Sequence, residues 1–323
     1  MILVRTPFRV SFFGGGTDYY EYFSEYGGSV LSTSIDKYCY VTLRNMPPLF
    51  SYKNQLTYSK IERFNSPDEL EHPLVREALK YIPTTGIQIA YDADLPACSG
   101  LGSSSAFAAG LIQGLHAIKG EYPDKMTIAK EAIHLERNLC KEAGGVQDQL
   151  ATAIGGLNRI DMNSEGYTVN PIPISDERKN IFRNNFMLVF TGFTRHSSVV
   201  ASEQKRTIPS TLSQLHEMKQ LVTVAEKILT EGKPDDFGRL LNHTWQLKKS
   251  LTKQISNNEI DDIYDKALKN GATGGKLLGA GGGGFMLLYV PEDKKQSIHN
   301  AFPNLEFVPF GFDNTGTKII NHE

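Results

Sequence analysis

Residues 95–112, LPACSGLGSSSAFAAGLI, leave the backbone few alternatives. Pro96 bars a helix before the glycines, and Gly100 and Gly102 can adopt left-handed turns that other residues resist. From Ser103 onward Phe107, Leu111, Leu115 and Ile118 recur at helical spacing, and Gly120 is placed to stop the helix. Upstream, Ile87, Ile89 and Tyr91 alternate as in a strand, so the reading is strand, tight loop, helix. Such a loop offers backbone N–H groups and the positive end of a helix dipole to an anion. Ser103, Ser104 and Ser105 add N-cap bonds and hydroxyls, one of which can reach magnesium. A phosphate cradle is preferred to a plain serine-capped turn, which the residues also permit.

Two further glycine-rich stretches flank this one: SFFGGGTDYY near the N-terminus and KLLGAGGGGFMLLY in the last quarter. Familiar phosphate motifs do not account for them. The middle loop lacks the lysine of a Walker loop. The third satisfies Gly-x-Gly-x-x-Gly at Gly279, Gly281 and Gly284, but it precedes a strand instead of opening a helix, so it does not signal a dinucleotide fold. Neither His-Arg-Asp nor Asp-Phe-Gly is present, which excludes a protein kinase.

Acids follow the middle loop at suggestive positions. A second helix is expected over residues 127–142, and it turns Glu136 toward Ala129, Ala132 and Cys140, where a bare carboxylate is costly. Either magnesium shared with Ser104, or an ion pair with Lys130 or Arg137, meets that demand. Asp148 lies in GGVQDQLATAIGG, a short helix between glycine pairs, a placement that suits an acid at a cleft as well as a solvated surface residue. In FRVSFFGGGTDYY, Arg9 precedes an apolar strand and Thr17 and Asp18 follow the turn, so a cation and an acid can converge at one strand end. A surface arginine and an Asx turn are the plainer alternative.

A chain of 323 residues exceeds the usual size of one core, so two domains are expected, 1–182 and 183–323, with the pattern restarting at NFMLVFTGF. Long amphipathic segments alternating with FMLLYV and LEFVPFGF give the second half an α+β character. The net charge of −2 without a basic run argues against nucleic acid and membrane partners. No apolar run approaches the ~20 residues that span a bilayer. With Cys39, Cys98 and Cys140 scattered and outside any metal-ligand spacing, a soluble cytoplasmic protein with free thiols is expected.

Taken in order, FRVSFFGGGTDYYEY, PACSGLGSSSAF and KLLGAGGGGF resemble the three motifs of the sugar and metabolite kinases named after galactokinase, homoserine kinase, mevalonate kinase and phosphomevalonate kinase, the GHMP kinases. The resemblance spans nearly the whole chain. It implies an α+β fold with an N-terminal α/β domain like the second domain of ribosomal protein S5, containing a left-handed crossover, and a C-terminal ferredoxin-like domain. It implies ATP and Mg2+ as cofactors. Gly100, Leu101, Gly102, Ser103, Ser104 and Ser105 would wrap the phosphates, and Ser104 and Glu136 would hold the metal. Asp148 would be the catalytic acid, with Arg9 beside the attacking oxygen. Gly15, Gly16, Thr17 and Asp18 would bind sugar, and Gly281, Gly282 and Gly283 would let the second domain close. Tyr58 and Ser59 are candidates for the adenine.

Within the family, Gly14-Gly15-Gly16 replaces the Gly-Glu-His of galactokinases, and together with YSKIERFNSPDELEHPLVREAL this resembles the branch acting on D-glycero-D-manno-heptose 7-phosphate at its anomeric hydroxyl. Kinases of fucose or unphosphorylated hexose, and a silent sugar and nucleotide sensor, are the alternatives. A phosphorylated sugar needs a second anion site, for which Arg195, with His196 and Ser197 beside it, or Lys37 is available. Oligomeric state is not legible.

Overall fold

The computed structural model describes residues 1–193 and 197–322. Its strands are β1 (Ile2–Phe13), β2 (Gly28–Asn45), β3 (Asn54–Thr57), β4 (Ile61–Phe64), β5 (Ile87–Ala93), β6 (Leu157–Asn163), β7 (Gly166–Pro171), β8 (Phe186–Phe190), β9 (Gly274–Leu277), β10 (Phe285–Tyr289), β11 (Phe307–Val308), β12 (Phe312–Asp313) and β13 (Lys318–His322). The larger sheet runs β13-β1-β2-β5-β3-β4, with β6 and β12 also on β2, and β7 on β6. The 18-residue β2 is its spine: the first third pairs with β6, the last part with β5, and nearly its whole length with β1. Its β-branched and aromatic residues alternate across a pleat that is buried over most of its length.

The second sheet has the order β11-β8-β10-β9, every pair antiparallel. Numbered within that sheet alone this is 4-1-3-2, the order of a ferredoxin-like βαββαβ unit. Helices Leu212–Thr230 and Pro234–Leu251 lie between its first two strands in sequence. The two sheets share an aromatic joint. Phe12 of β1 stacks on Phe186 of β8 at 5.1 Å, and Phe237 meets Phe13 edge-on at 5.0 Å. Such ring pairs stabilise by about 0.5–1.5 kcal/mol each beyond their buried area.

Three expectations are revised here. The expected helix 127–142 is an α-helix over Lys125–Ile133 that continues as a wider π-helical turn over His134–Leu139. The segment LEFVPFGF divides between the sheets, β11 joining the small one and β12 the large one. Residues 312–322 therefore leave the expected second unit and complete the sheet begun by β1, with Ile2 opposite His322. Among the described residues no helix is long and apolar enough to cross a membrane.

Candidate functional site

The helix Ser103–Ile118 begins where expected, behind the glycine loop. Its N-cap is Gly102 in the left-handed region, with no side-chain cap bond, so the serine hydroxyls are not spent on capping. The first helical N–H groups therefore face the cleft without a side-chain partner. The third glycine loop backs this one. A Cβ on Gly100 would stand 2.5 Å from the Leu278 carbonyl oxygen, and one on Gly279 would stand 2.6 Å from Gly100 Cα. Phe285 N–H donates to Ser99 O at 3.0 Å, fastening the loops to each other.

Glu136 is 1% exposed on the π turn, and it pairs with neither Lys130 nor Arg137. Ser104 Oγ and Ser105 Oγ each donate to its carboxylate at 2.7 Å, and Gln149 Nε2 donates to Oε2. Arg137 turns away and binds the carbonyls of Gly145 and Glu142. Among the described residues no three metal-ligating side chains cluster. Magnesium typically takes one or two carboxylates plus substrate phosphate oxygens and water, and one buried carboxylate with a hydroxyl at a phosphate loop fits that pattern.

Arg9 sits on β1 just past a register shift between Pro7 and Phe8, and its N–H is bound by Leu101 O at 3.0 Å. Its guanidinium grips Asp148 in two-pronged fashion, Nε to Oδ1 at 2.8 Å and Nη2 to Oδ2 at 2.6 Å, while Nη1 donates to Gly100 O at 2.7 Å. One cation thus ties the acid of helix Gln147–Ile154 to the phosphate loop. Asp18 does not join Arg9. It is 2% exposed and accepts from Gly16 N–H at 2.9 Å, and Gln147 N–H lies 3.4 Å away. Burial raises its pKa, the charge of Asp148 adds to this, and these backbone bonds oppose it. Gly145 leaves the space Asp18 fills, since a Cβ there would lie 1.8 Å from Asp18 Oδ2.

Two lysines line the same cleft and were missed in the sequence. Lys248 Nζ donates to the carbonyls of Leu277 and Gly279, and Lys276 Nζ to Phe12 O at 3.0 Å. Burial and then the Arg9 charge push Lys248 down to about 8, against the pull of Asp18 and Asp148. Lys276 is driven well below the lysine range, first by burial and then by Lys248 and Arg9. Lys248 had a readable signal. It lies on the apolar face of its helix with Phe237, Leu241, Trp245 and Leu251, the pattern that drew notice to Glu136.

The cleft encloses about 460 Å³ and gathers Arg9, Gly15, Gly16, Asp18, Gly100, Gly102, Ser103, Ser104, Ser105, Glu136, Asp148, Gly281 and Gly283. Tyr58 and Ser59 also line it, where the rings of Tyr58, His72, Phe107 and Tyr91 form a continuous edge-to-face wall. Three expected site residues are not among those that line the cleft. Thr17 is fully buried and bonds Gly14 O and Ser29 O, Leu101 is core, and Gly282 holds Ile255 O through its N–H. Lys37 lies beside Asp36 at 3.8 Å, away from the cleft. Arg195 and His196 lie outside the described residues, as does the side chain of Ser197.

Comparison with known proteins agrees with this layout. Residues 73–156 match the GHMP kinases N-terminal domain and residues 225–306 the GHMP kinases C-terminal domain. The chain is 30% identical to a D-glycero-alpha-D-manno-heptose 7-phosphate kinase of Campylobacter jejuni over 98% of both chains. In fold it matches the crystal structure of a D-glycero-D-manno-heptose 1-phosphate kinase from Bacteroides thetaiotaomicron at a TM-score of 0.82, 23% identity and full coverage of both chains. It also matches the Lactococcus lactis galactokinase crystallised with galactose, at 0.75 and 18% identity over 98% and 94% of the two chains. With both halves matched in order and a relative aligned nearly end to end, the chain belongs to the GHMP kinases and is a phosphotransferase acting on a sugar hydroxyl, with ATP as the phosphate donor.

Proposed function

We propose that this kinase phosphorylates the anomeric C1 hydroxyl of D-glycero-D-manno-heptose 7-phosphate, giving the 1,7-bisphosphate on the route to nucleotide-activated heptose. The observation that carries this reading is the Arg9 guanidinium joining Asp148 to the phosphate loop, with Asp18 buried in the same cleft. The curated Campylobacter relative supports the choice of sugar.

In this reading the loop 100–105 and its helix N-terminus hold the ATP phosphates, and the aromatic wall at Tyr58 and Ser59 takes the adenine. Ser104 and Glu136 hold Mg2+, which when bound neutralises phosphate charge. The C1 oxygen attacks the γ-phosphorus as the bond to the β–γ bridging oxygen breaks, and ADP leaves. Asp148 takes the hydroxyl proton on a carboxylate oxygen, and Arg9 stabilises the charge building on the attacking oxygen. Asp18 accepts a hydrogen bond from the sugar, while Gly15, Gly16, Gly281 and Gly283 give it backbone-close walls. The catalytic unit up to residue 182 takes in residues 312–322 as well.

An ADP-release assay with ATP and magnesium tests this against heptose 7-phosphate, unphosphorylated heptose, mannose, fucose and galactose. Selective turnover of heptose 7-phosphate with phosphate appearing at C1 is expected. Turnover of another sugar alone would discard the substrate, and no turnover at all would point to a sensor.

A further inference from the structure

Close to the Arg9–Asp148 pair, the cleft is lined by two buried lysines that form no ion pair among the described residues. Lys248 and Lys276 are 5% and 2% exposed, and among the described residues neither has a carboxylate within ion-pair distance. The nearby acids are already engaged, Asp148 by Arg9 and Asp18 by backbone N–H groups. Burial drives both amines toward their neutral forms, and a bound anion would favour the charged ones. Their hydrogen-bonding capacity is also unfilled. Lys248 uses two of its three N–H groups and Lys276 one of three, all on carbonyls.

Two polar atoms beside Gly15 are unpartnered as well. Ser11 Oγ, in a residue 5% exposed, and Gln147 Oε1 have no hydrogen-bond partner, although both residues line the cleft. A Cβ on Gly15 would lie 3.8 Å from that Ser11 oxygen and 3.6 Å from Gln147 Nε2, so the missing side chain leaves room between them. A phosphate monoester satisfies the whole group: it supplies negative charge, accepts from both lysine amines and from Ser11, and a protonated phosphate oxygen or a sugar hydroxyl beside it donates to Gln147 Oε1.

We infer that Lys248, Lys276 and Ser11 form a seat for the phosphate carried by the sugar substrate, on the acceptor side of the Arg9–Asp148 pair. This rests on the heptose phosphate reading and explains how a phosphorylated acceptor is chosen over an unphosphorylated one. The γ-phosphate of ATP has the same chemistry, and the experiment separates the two.

The test compares wild type with Lys248→Met, Lys276→Met and Ser11→Ala. KM is measured for heptose 7-phosphate and unphosphorylated heptose, and calorimetry gives ATP and ADP affinities. Hydrogen bonds to a charged group predict that each lysine variant weakens heptose 7-phosphate by about 10- to 100-fold. Its effect on unphosphorylated heptose and on both nucleotides stays small. Equal losses for both sugars overturn the assignment, and so does a loss for ATP that ADP does not share. Ser11→Ala leaves every lysine bond in place, so it decides the matter should the methionine variants fail to fold; its loss must fall on the phosphorylated sugar alone. Inorganic phosphate provides an arm independent of substrate identity. It should raise the melting temperature of wild type and not of the lysine variants, whereas an equal rise in all of them refutes the seat even if heptose 7-phosphate proves not to be the substrate.

Discussion

Gly100→Ala tests whether the two glycine loops are locked backbone against backbone. At φ +81° the new residue meets the left-handed penalty of about 1–2 kcal/mol. Its Cβ would also sit 2.5 Å from Leu278 O and 2.8 Å from Leu278 C, both backbone atoms that no rotamer change can move. Restoring ordinary contact, which begins at 3.4 Å, requires the loops to part by about 0.9 Å. Overpacking of this kind adds about 1–3 kcal/mol, for a total of about 2–5. Gly120→Ala isolates the steric part, because Gly120 has φ +77° and nothing within 4 Å of its Cβ position, so only the conformational penalty applies. Urea denaturation of the two variants should separate them by the difference. The displacement also drags Gly100 O from Arg9, and a shift near 1 Å at a reacting centre costs about 10²-fold in rate. Equal stability losses in the two variants, with a wild-type kcat for Gly100→Ala, would show that the loops do not brace each other.

Asp148→Asn should lower kcat by about 10²–10⁴-fold while calorimetry finds ATP binding largely kept; a near-normal rate removes Asp148 from proton transfer. Ser105→Ala deletes one of the three donors holding Glu136, and it should raise the Mg2+ concentration for half-maximal activity by about 10-fold or more, which a magnesium titration reads directly. Lys248, facing Arg9, Asp18, Asp148 and Lys276, titrates at about 8, so kcat/KM for the phosphorylated sugar should decline above that pH, and Lys248→Met should lack this limb. The sign for stability is opposite: between about 8 and the ordinary 10.5 the unfolded chain holds a proton the native state has lost, so the Lys248 contribution grows more favourable as pH rises.

What could be read from the chain was local. The strand, loop and helix around Gly100 follow from proline, glycine and apolar spacing within about twenty positions, and the buried Glu136 follows from its helical face. The partners of these residues were not local. Arg9 meets Asp148 across 139 positions instead of the neighbouring Asp18, because the β1 register and the seat of helix Gln147–Ile154 decide which acid arrives. The π turn was illegible for a similar reason: its wider winding is compatible with the same residues as an α-helix, and the bonds to Ser104, Ser105 and Gln149 come from elsewhere in the fold. Lys276 gave no warning in a strand of four buried residues, since its counterpart, Phe12 O, is a backbone atom of another sheet.

The pairing of β1 with β13 bears on the order of events during synthesis. Leu3 faces Asn321 and Val4 faces Ile319, and Thr6 Oγ1 lies 2.8 Å from Thr317 Oγ1, so one flank of β1 is matched only by residues translated some three hundred positions later. Until then that flank is an unsatisfied strand edge able to recruit a neighbouring chain, while the ferredoxin-like unit is already fully translated. Arg9, three positions beyond Thr6, therefore sits on a strand whose anchoring waits for residues 317–322, and nascent chains stalled before residue 312 should be rich in bound chaperone and poor in kinase activity.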